Sequence, residues 1–207
     1  MVTSRPHTVA AGDASAEMLP GARKLLAAAT RHFAERGYHG TSVRDIAKDA
    51  DMTVAGLYHH FRSKQELLKA IMLSTLHEEL ARTKRAVAEA GDHPADQLRA
   101  LVIVWLRFHT ERQAEALIGS SELRSLEPDA RAAVVALRDE QEGLFRKVIK
   151  RGRALGTFDV DEPVEAARAI VTMGSAAGHW YTPRGRLTPQ KLGERYAVLA
   201  LKLVGAR

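Results

Sequence analysis

From Ala22 to the end of the chain, apolar residues return every three or four positions, and nowhere do apolar and polar residues alternate as in a half-buried strand. Ala22, Leu25, Leu26, Ala29 and Phe33 form the first stripe, and Gly37 follows as a residue that tolerates a left-handed helix stop. Ser42 and Asp45 have capping-box spacing and open a short helix that buries Val43, Ile46, Ala47 and Ala50. After a break at Asp51-Met52, Thr53 caps a third helix of barely two turns with Val54, Leu57 and Phe61 inward. Ser63 and Glu66 start a fourth helix, whose stripe runs through Leu67, Leu68, Ile71, Met72, Thr75, Leu76 and Leu80 to near Ala90. Further helices are predicted at 95–113, 115–125, 129–154, 162–181 and 189–205, with Pro128, Pro163 and Pro189 near three of the starts and Thr188 as an N-cap. The expected fold is all-α.

Composition narrows the functions open to such a chain. Its 207 residues carry 31 Lys+Arg against 25 Asp+Glu and no cysteine. Disulfides, thiol catalysis and Cys-ligated zinc are therefore excluded. No run approaches the roughly 18 apolar residues of a membrane span, and residues 1–20 lack the apolar stretch of a secretory signal, so a mobile tail and a cytoplasmic address are expected. No Gly-x-Ser-x-Gly elbow, Gly-rich phosphate loop or His-Glu-x-x-His is present, and the adjacent His59 and His60 lie on different helix faces, which is poor metal geometry. No catalytic residue, metal or cofactor is expected.

The two short helices of residues 41–61, joined by a tight turn, have the pattern of a helix-turn-helix; the same pattern also suits a compact helical corner. On the second helix Ala55, Gly56 and His59 form an outward edge of small or polar side chains, and the small Ala55 and Gly56 would let it sink into a major groove. Thr53 places a hydroxyl at a helix N-terminus. Tyr58, His59, His60 and Lys64 are donors suited to phosphates, and Arg44 could reach a phosphate or a base.

Phe33, Gly37-Tyr38, Thr41, Ile46-Ala47, Ala50, the run Gly56-Leu57-Tyr58-His59-His60-Phe61, Ser63-Lys64 and Leu67 together resemble the N-terminal domain of the TetR family of one-component bacterial repressors. The resemblance implies a three-helix helix-turn-helix DNA-binding domain at 21–68 and a larger helical ligand-binding and dimerisation domain at 69–207. It further implies a palindromic operator bound by a homodimer, with DNA contacts at Ser42, Arg44, Thr53, Ala55, Gly56, Tyr58, His59, His60 and Lys64. One departure is Asp51, where the family usually has Gly; Asp tolerates the left-handed region better than most residues. Residues 22–69 hold nine Lys/Arg and five Asp/Glu, which is most of the chain's +6.

In the later helices Gly174 and Gly178, with Ala166, Ala167, Ile170 and Ala177, offer close helix approach, and Leu192, Tyr196, Leu199 and Leu203 form a stripe. Paired with their symmetry mates, these residues are the expected dimer interface, although the same stripes would serve an internal core. Trp105, Phe108, Phe145, Trp180 and Tyr181 are candidate pocket-lining aromatics, with His109, Glu122 and Arg146 as polar partners. The segment 152–163 (GRALGTFDVDEP), followed by Trp180-Tyr181, Pro183, Gly185 and Leu187-Thr188, resembles the C-terminal domain of TetR-type regulators of lipid and steroid catabolism. That resemblance implies a small apolar or acyl-CoA-like effector. The rival readings are a helical adaptor without DNA affinity and a helical enzyme, and repression is not distinguished from activation.

Overall fold

A computed structural model describes residues 18–207. The expected tail at 1–20 therefore lies outside the described residues apart from its last three, of which Met18 packs on the head and Pro20 already begins a helix. α1 (Pro20–Arg36), α2 (Val43–Asp49) and α3 (Val54–His60) form the head, and α4 (Lys64–Glu89) runs from it into the body. α5 (Pro94–Glu111), α6 (Gln113–Ser121), a 3₁₀ turn (Glu122–Ser125), α7 (Pro128–Ala154), α8 (Pro163–Ser175), α9 (Ala177–Trp180) and α10 (Pro189–Leu203) complete an all-α architecture.

The short head helices are held by the caps that their sequence announces. Ser42 accepts from the Asp45 N–H while the Asp45 carboxylate accepts from the Ser42 N–H, a complete capping box. Thr53 caps α3 through the Gly56 N–H at 3.0 Å, and Ser63 caps α4 through the Glu66 N–H at 3.1 Å. The α2–α3 turn is a Schellman stop: Met52 N–H reaches the Ala47 carbonyl, Asp51 N–H reaches Lys48, and Asp51 takes the left-handed position at φ 56°.

The apolar core has two centres. One gathers Leu25, Phe33, Ile46, Leu57 and Leu67 from the head and the start of α4, and Ile118 of α6, Leu126 after the 3₁₀ turn and Val134 of α7 close it. The other lies among α5, α7, α8 and α10 around Trp105, Leu106, Phe145 and Ile170.

Two expectations are corrected here. The predicted helix 162–181 breaks at Ala176, where Ser175 returns its hydroxyl to the Thr172 carbonyl at 3.1 Å and α9 begins afresh. Gly174 and Gly178, expected at a dimer interface, face inward: a Cβ on Gly174 would lie 2.2 Å from the Trp105 ring, and one on Gly178 would lie 3.3 Å from the His109 carbonyl. The close approach that small residues permit is taken up by α5 of the same chain, and Trp105 seals it by donating its indole N–H to the Val171 carbonyl at 3.0 Å. Leu192 is likewise core.

Asp51→Gly should stabilise the protein by about 0.5–1 kcal/mol, because glycine relieves the left-handed penalty in the α2–α3 turn. Urea denaturation at a fixed protein concentration measures it as a raised midpoint with an unchanged slope.

Candidate nucleic-acid interface and ligand cavity

α2, α3 and their caps leave six of the expected DNA-contacting residues exposed. Ala55, Tyr58 and His59 lie exposed at i, i+3 and i+4 on α3; Thr53 is exposed at its N-terminus, and Ser42 and Arg44 are exposed on and beside α2. Gly56 is half-buried, and a Cβ there would lie 3.3 Å from the Thr53 hydroxyl oxygen and 3.5 Å from the Met52 methyl, so a side chain would press on the cap that starts α3. Thr53 and Ser42 each use a lone pair for capping, which leaves the Thr53 hydroxyl proton free to donate.

Two expected donors sit differently. His60 turns toward α1, where Gly21 makes room for its ring: a Cβ on Gly21 would come within 2.6 Å of Nε2. Lys64 donates to the Tyr38 and Thr41 carbonyls, both at 2.8 Å, and lies 4.2 Å above the Tyr38 ring, so it locks the α1–α2 loop and keeps one proton for an outside acceptor. Desolvation pushes the Lys64 ammonium below its ordinary pKa. Asp45 is held below the usual carboxylate range by its hydrogen bonds from Ser42.

In the body a cavity of about 440 Å³ is lined by residues of α4 to α9. Of the expected pocket residues, Trp105, Phe108 and His109 line it. The other five do not. Phe145 is wholly buried behind Trp105, with ring centroids 5.8 Å apart, and Tyr181 is packed in the same core. Glu122 is on the 3₁₀ turn, accepting from Ser125 at 2.8 Å, and Arg146 lies beside Glu142 at 3.7 Å. Trp180 is 51% exposed and stacks on Tyr196.

Among the polar wall residues not expected from the sequence are Glu79, Arg138 and Gln141. A signal was present: Glu79 falls on the apolar stripe Met72–Thr75–Leu76–Leu80, and Arg138 and Gln141 fall on the stripe from Val134 to Phe145. Burial raises the Glu79 carboxyl to about 8 and lowers the His109 imidazole to about 4. Their 3.3 Å approach is thus a contact between two neutral groups near pH 7 and not an ion pair. His109 Nδ1–H donates to the Trp105 carbonyl at 3.0 Å, since a carbonyl can only accept. Arg138, pushed below its ordinary pKa by desolvation, donates to the Gly119 carbonyl of α6.

Residues 91–204 match the family described as "Tetracyclin repressor-like, C-terminal domain", and residues 25–71 match "Bacterial regulatory proteins, tetR family". The first match alone spans more than half of the chain. The chain belongs to the TetR family. As a TetR-family protein it is a DNA-binding transcriptional regulator, and α2 and α3 are the helix-turn-helix of its head. It is 31% identical over 180 residues to the HTH-type transcriptional repressor KstR2 of Mycobacterium tuberculosis, covering 86% of this chain and 90% of that one. A TetR-family regulatory protein from Rhodococcus RHA1 superposes with a TM-score of 0.84 at 32% identity, covering 92% of this chain and all of that one. AibR, crystallised with isovaleryl coenzyme A and operator DNA, superposes with a TM-score of 0.79 at 28% identity, over 90% of this chain and all of AibR. Among the described residues no helix is long and apolar enough to cross a membrane, and no cluster of His, Asp and Glu fit to hold a metal ion occurs.

The two buried titrations act on stability in opposite directions. Glu79 binds its proton more tightly folded, at about 8, than at its ordinary 4.5, so its contribution is full below 4.5 and is lost as pH rises to 8. His109 binds its proton less tightly folded, at about 4, than at its ordinary 6.5, so stability is lost as pH falls from 6.5 through 4. Between these limits the slopes oppose; above 6.5 only Glu79 acts. Its share of the unfolding free energy should fall by about 2 kcal/mol from pH 6.5 to 8. Glu79→Gln should flatten that limb in denaturant titrations across the range.

Proposed function

We propose that the protein is a transcriptional repressor of the bacterial cytoplasm that binds a palindromic operator as a homodimer and releases it when a small apolar molecule enters the body cavity. DNA binding is assigned to residues 21–68, and effector binding with dimerisation to 69–207. The observation that carries the reading is that α4 begins in the head and supplies Met72, Thr75, Leu76 and Glu79 to the cavity wall. Acyl esters of coenzyme A are the effector class this reading favours, because AibR was crystallised with isovaleryl coenzyme A and operator DNA and KstR2 is a repressor.

The DNA contacts follow from exposure and chemistry. Arg44, Thr53, Ala55, Tyr58 and His59 face the major groove and its flanking phosphates, and Ser42 and Lys64 add donors at the rim. His60 supports the entry of α1. On the far side, Val198, Leu199 and Leu203 are exposed on α10 beside the stacked Trp180 and Tyr196. Ala169 of α8 is also exposed, and two copies meeting through α8 and α10 would pair these helices in a four-helix bundle.

Signal transfer has a physical route. Arg138 in the cavity wall holds the Gly119 carbonyl of α6. Beyond α6, the Ser125 carbonyl accepts from Gln65 Nε2 at 2.5 Å, and the Glu127 N–H donates to Gln65 Oε1 at 3.3 Å. Gln65 lies in the first turn of α4, directly after α3. An effector that moves α6 therefore moves the root of the head.

Selection of bound genomic fragments, then fluorescence anisotropy on the selected operator, tests the reading. Affinity should fall steeply with salt, and Arg44→Ala should lower the salt slope by about one if it holds a phosphate. Tyr58→Phe, which removes only the exposed hydroxyl, should weaken binding by roughly five- to tenfold. Acyl-coenzyme A esters that raise the melting temperature should release the operator, and operator should weaken their binding by the same factor. Salt-independent binding, or equal effector affinity with and without DNA, would overturn the reading.

A further inference from the structure

Two buried polar side chains of the cavity wall, one on α4 and one on α7, have incomplete hydrogen bonding. Glu79 and Gln141 are each 3% exposed, and both line the cavity. Among the described residues, Glu79 Oε1 and Gln141 Nε2 have no hydrogen-bond partner. The other end of the Gln141 amide is occupied, its Oε1 accepting from the Thr83 hydroxyl at 2.9 Å. The nearest donor to Glu79, the Nδ1–H of His109, is already directed at the Trp105 carbonyl. Unpaired polar atoms at such depth are uncommon, and each one favours a ligand atom that completes it.

We propose that this part of the cavity wall binds a neutral oxygen, the ketone or hydroxyl carried by the apolar group that enters the cavity, through Glu79 and Gln141. The proposal rests on the effector reading above and names the chemistry that the effector must carry. A neutral carboxyl donates through its O–H and accepts through its carbonyl, and an amide adds an N–H donor, so the pair serves either oxygen. The carboxyl is in that form at neutral pH, because burial raises it to about 8. Met72, Leu76, Trp105, Phe108 and Val171 supply an apolar wall for the rest of the molecule.

Burial beside Glu79 disfavours an anion. Glu115 of α6 and Asp139 and Glu142 of α7 share the wall, and Glu78 acts on Glu79 from α4 itself. Arg138 faces them from α7 but donates to the Gly119 carbonyl, and the remaining titratable groups are His109 of α5 and His179 of α9. Glu115 is paired with Arg112 at 3.3 Å, Glu142 with Arg146 at 3.7 Å and Glu78 with Arg82 at 2.6 Å. A carboxylate seated against Glu79 would therefore be desolvated beside an acid, with the cavity-lining Arg138 already donating to the Gly119 carbonyl.

The test compares three ten-carbon probes, 2-decanone, 2-decanol and decanoate, by isothermal titration calorimetry on the full-length protein at neutral pH and at pH 9. The ketone and the alcohol should bind, and decanoate should bind at least about tenfold more weakly. Raising the pH to 9 should weaken the ketone by roughly tenfold, because only the protonated carboxyl donates to it. Glu79→Leu should weaken the ketone by about five- to tenfold at neutral pH. Glu79→Gln, which keeps a neutral donor, should retain the ketone and remove its loss at pH 9, a readout that a merely structural role for Glu79 would not give. Decanoate binding as well as the ketone, Glu79→Leu leaving the ketone unaffected, or a pH dependence that survives in Glu79→Gln would each overturn the proposal. Failure of both neutral probes to bind would overturn it too, while release of operator by an acyl-coenzyme A ester would leave the repressor reading intact.

Discussion

One uninterrupted helix sets what the rest of the molecule can do. α4 has 26 residues, about 39 Å of rigid rod at the usual helical rise. Its first turn is anchored to the head by the Ser63 cap and by Lys64, which holds the α1–α2 loop through two carbonyls. Its middle supplies one wall of the cavity. A displacement at the middle cannot be absorbed within the rod, because no proline, glycine or bulge interrupts it between the two sites. The head core reinforces this unity, since Ile118, Leu126 and Val134 from the body complete it.

What was legible in the sequence is what depends on local spacing. Ser42, Thr53 and Ser63 each cap a helix through an N–H three residues on, and such contacts can be read from a string of letters. The Asp51 turn belongs to the same class: its left-handed residue follows from the helix stop and the immediate restart. These local signals account for the head, and the resemblance carried by residues 33–67 added what the head binds.

The rest depended on partners that spacing does not name. Gly174 and Gly178 announce a close approach, but not whether the approaching group belongs to a second chain or to Trp105 and His109. Trp180 and Phe145 both read as large aromatics, yet one is half-exposed on Tyr196 and the other is sealed behind Trp105. Glu79 was one acid among many in a chain where acids are usually solvated. Its place on an apolar stripe distinguished it, as did the same placement for Arg138 and Gln141 on α7. A polar residue recurring on the buried stripe of a helix marks a satisfied core contact or the wall of a cavity, and only the neighbouring helices decide which.

That distinction bears on energetics as well as location. A buried polar atom without a partner destabilises the folded chain by about 1–3 kcal/mol. Glu79 Oε1 and Gln141 Nε2 place such a penalty in the cavity wall, on the two helices α4 and α7. Arg138 of α7 ties the same wall to α6, and Gln65 ties the segment after α6 back to the root of α4. A ligand shifts a conformational equilibrium only by the difference in its affinity for the two states. A ligand that completes these polar atoms gains most in whichever arrangement of α4, α6 and α7 brings them to it together, so the same incompleteness that weakens the empty protein gives an effector its leverage over the head.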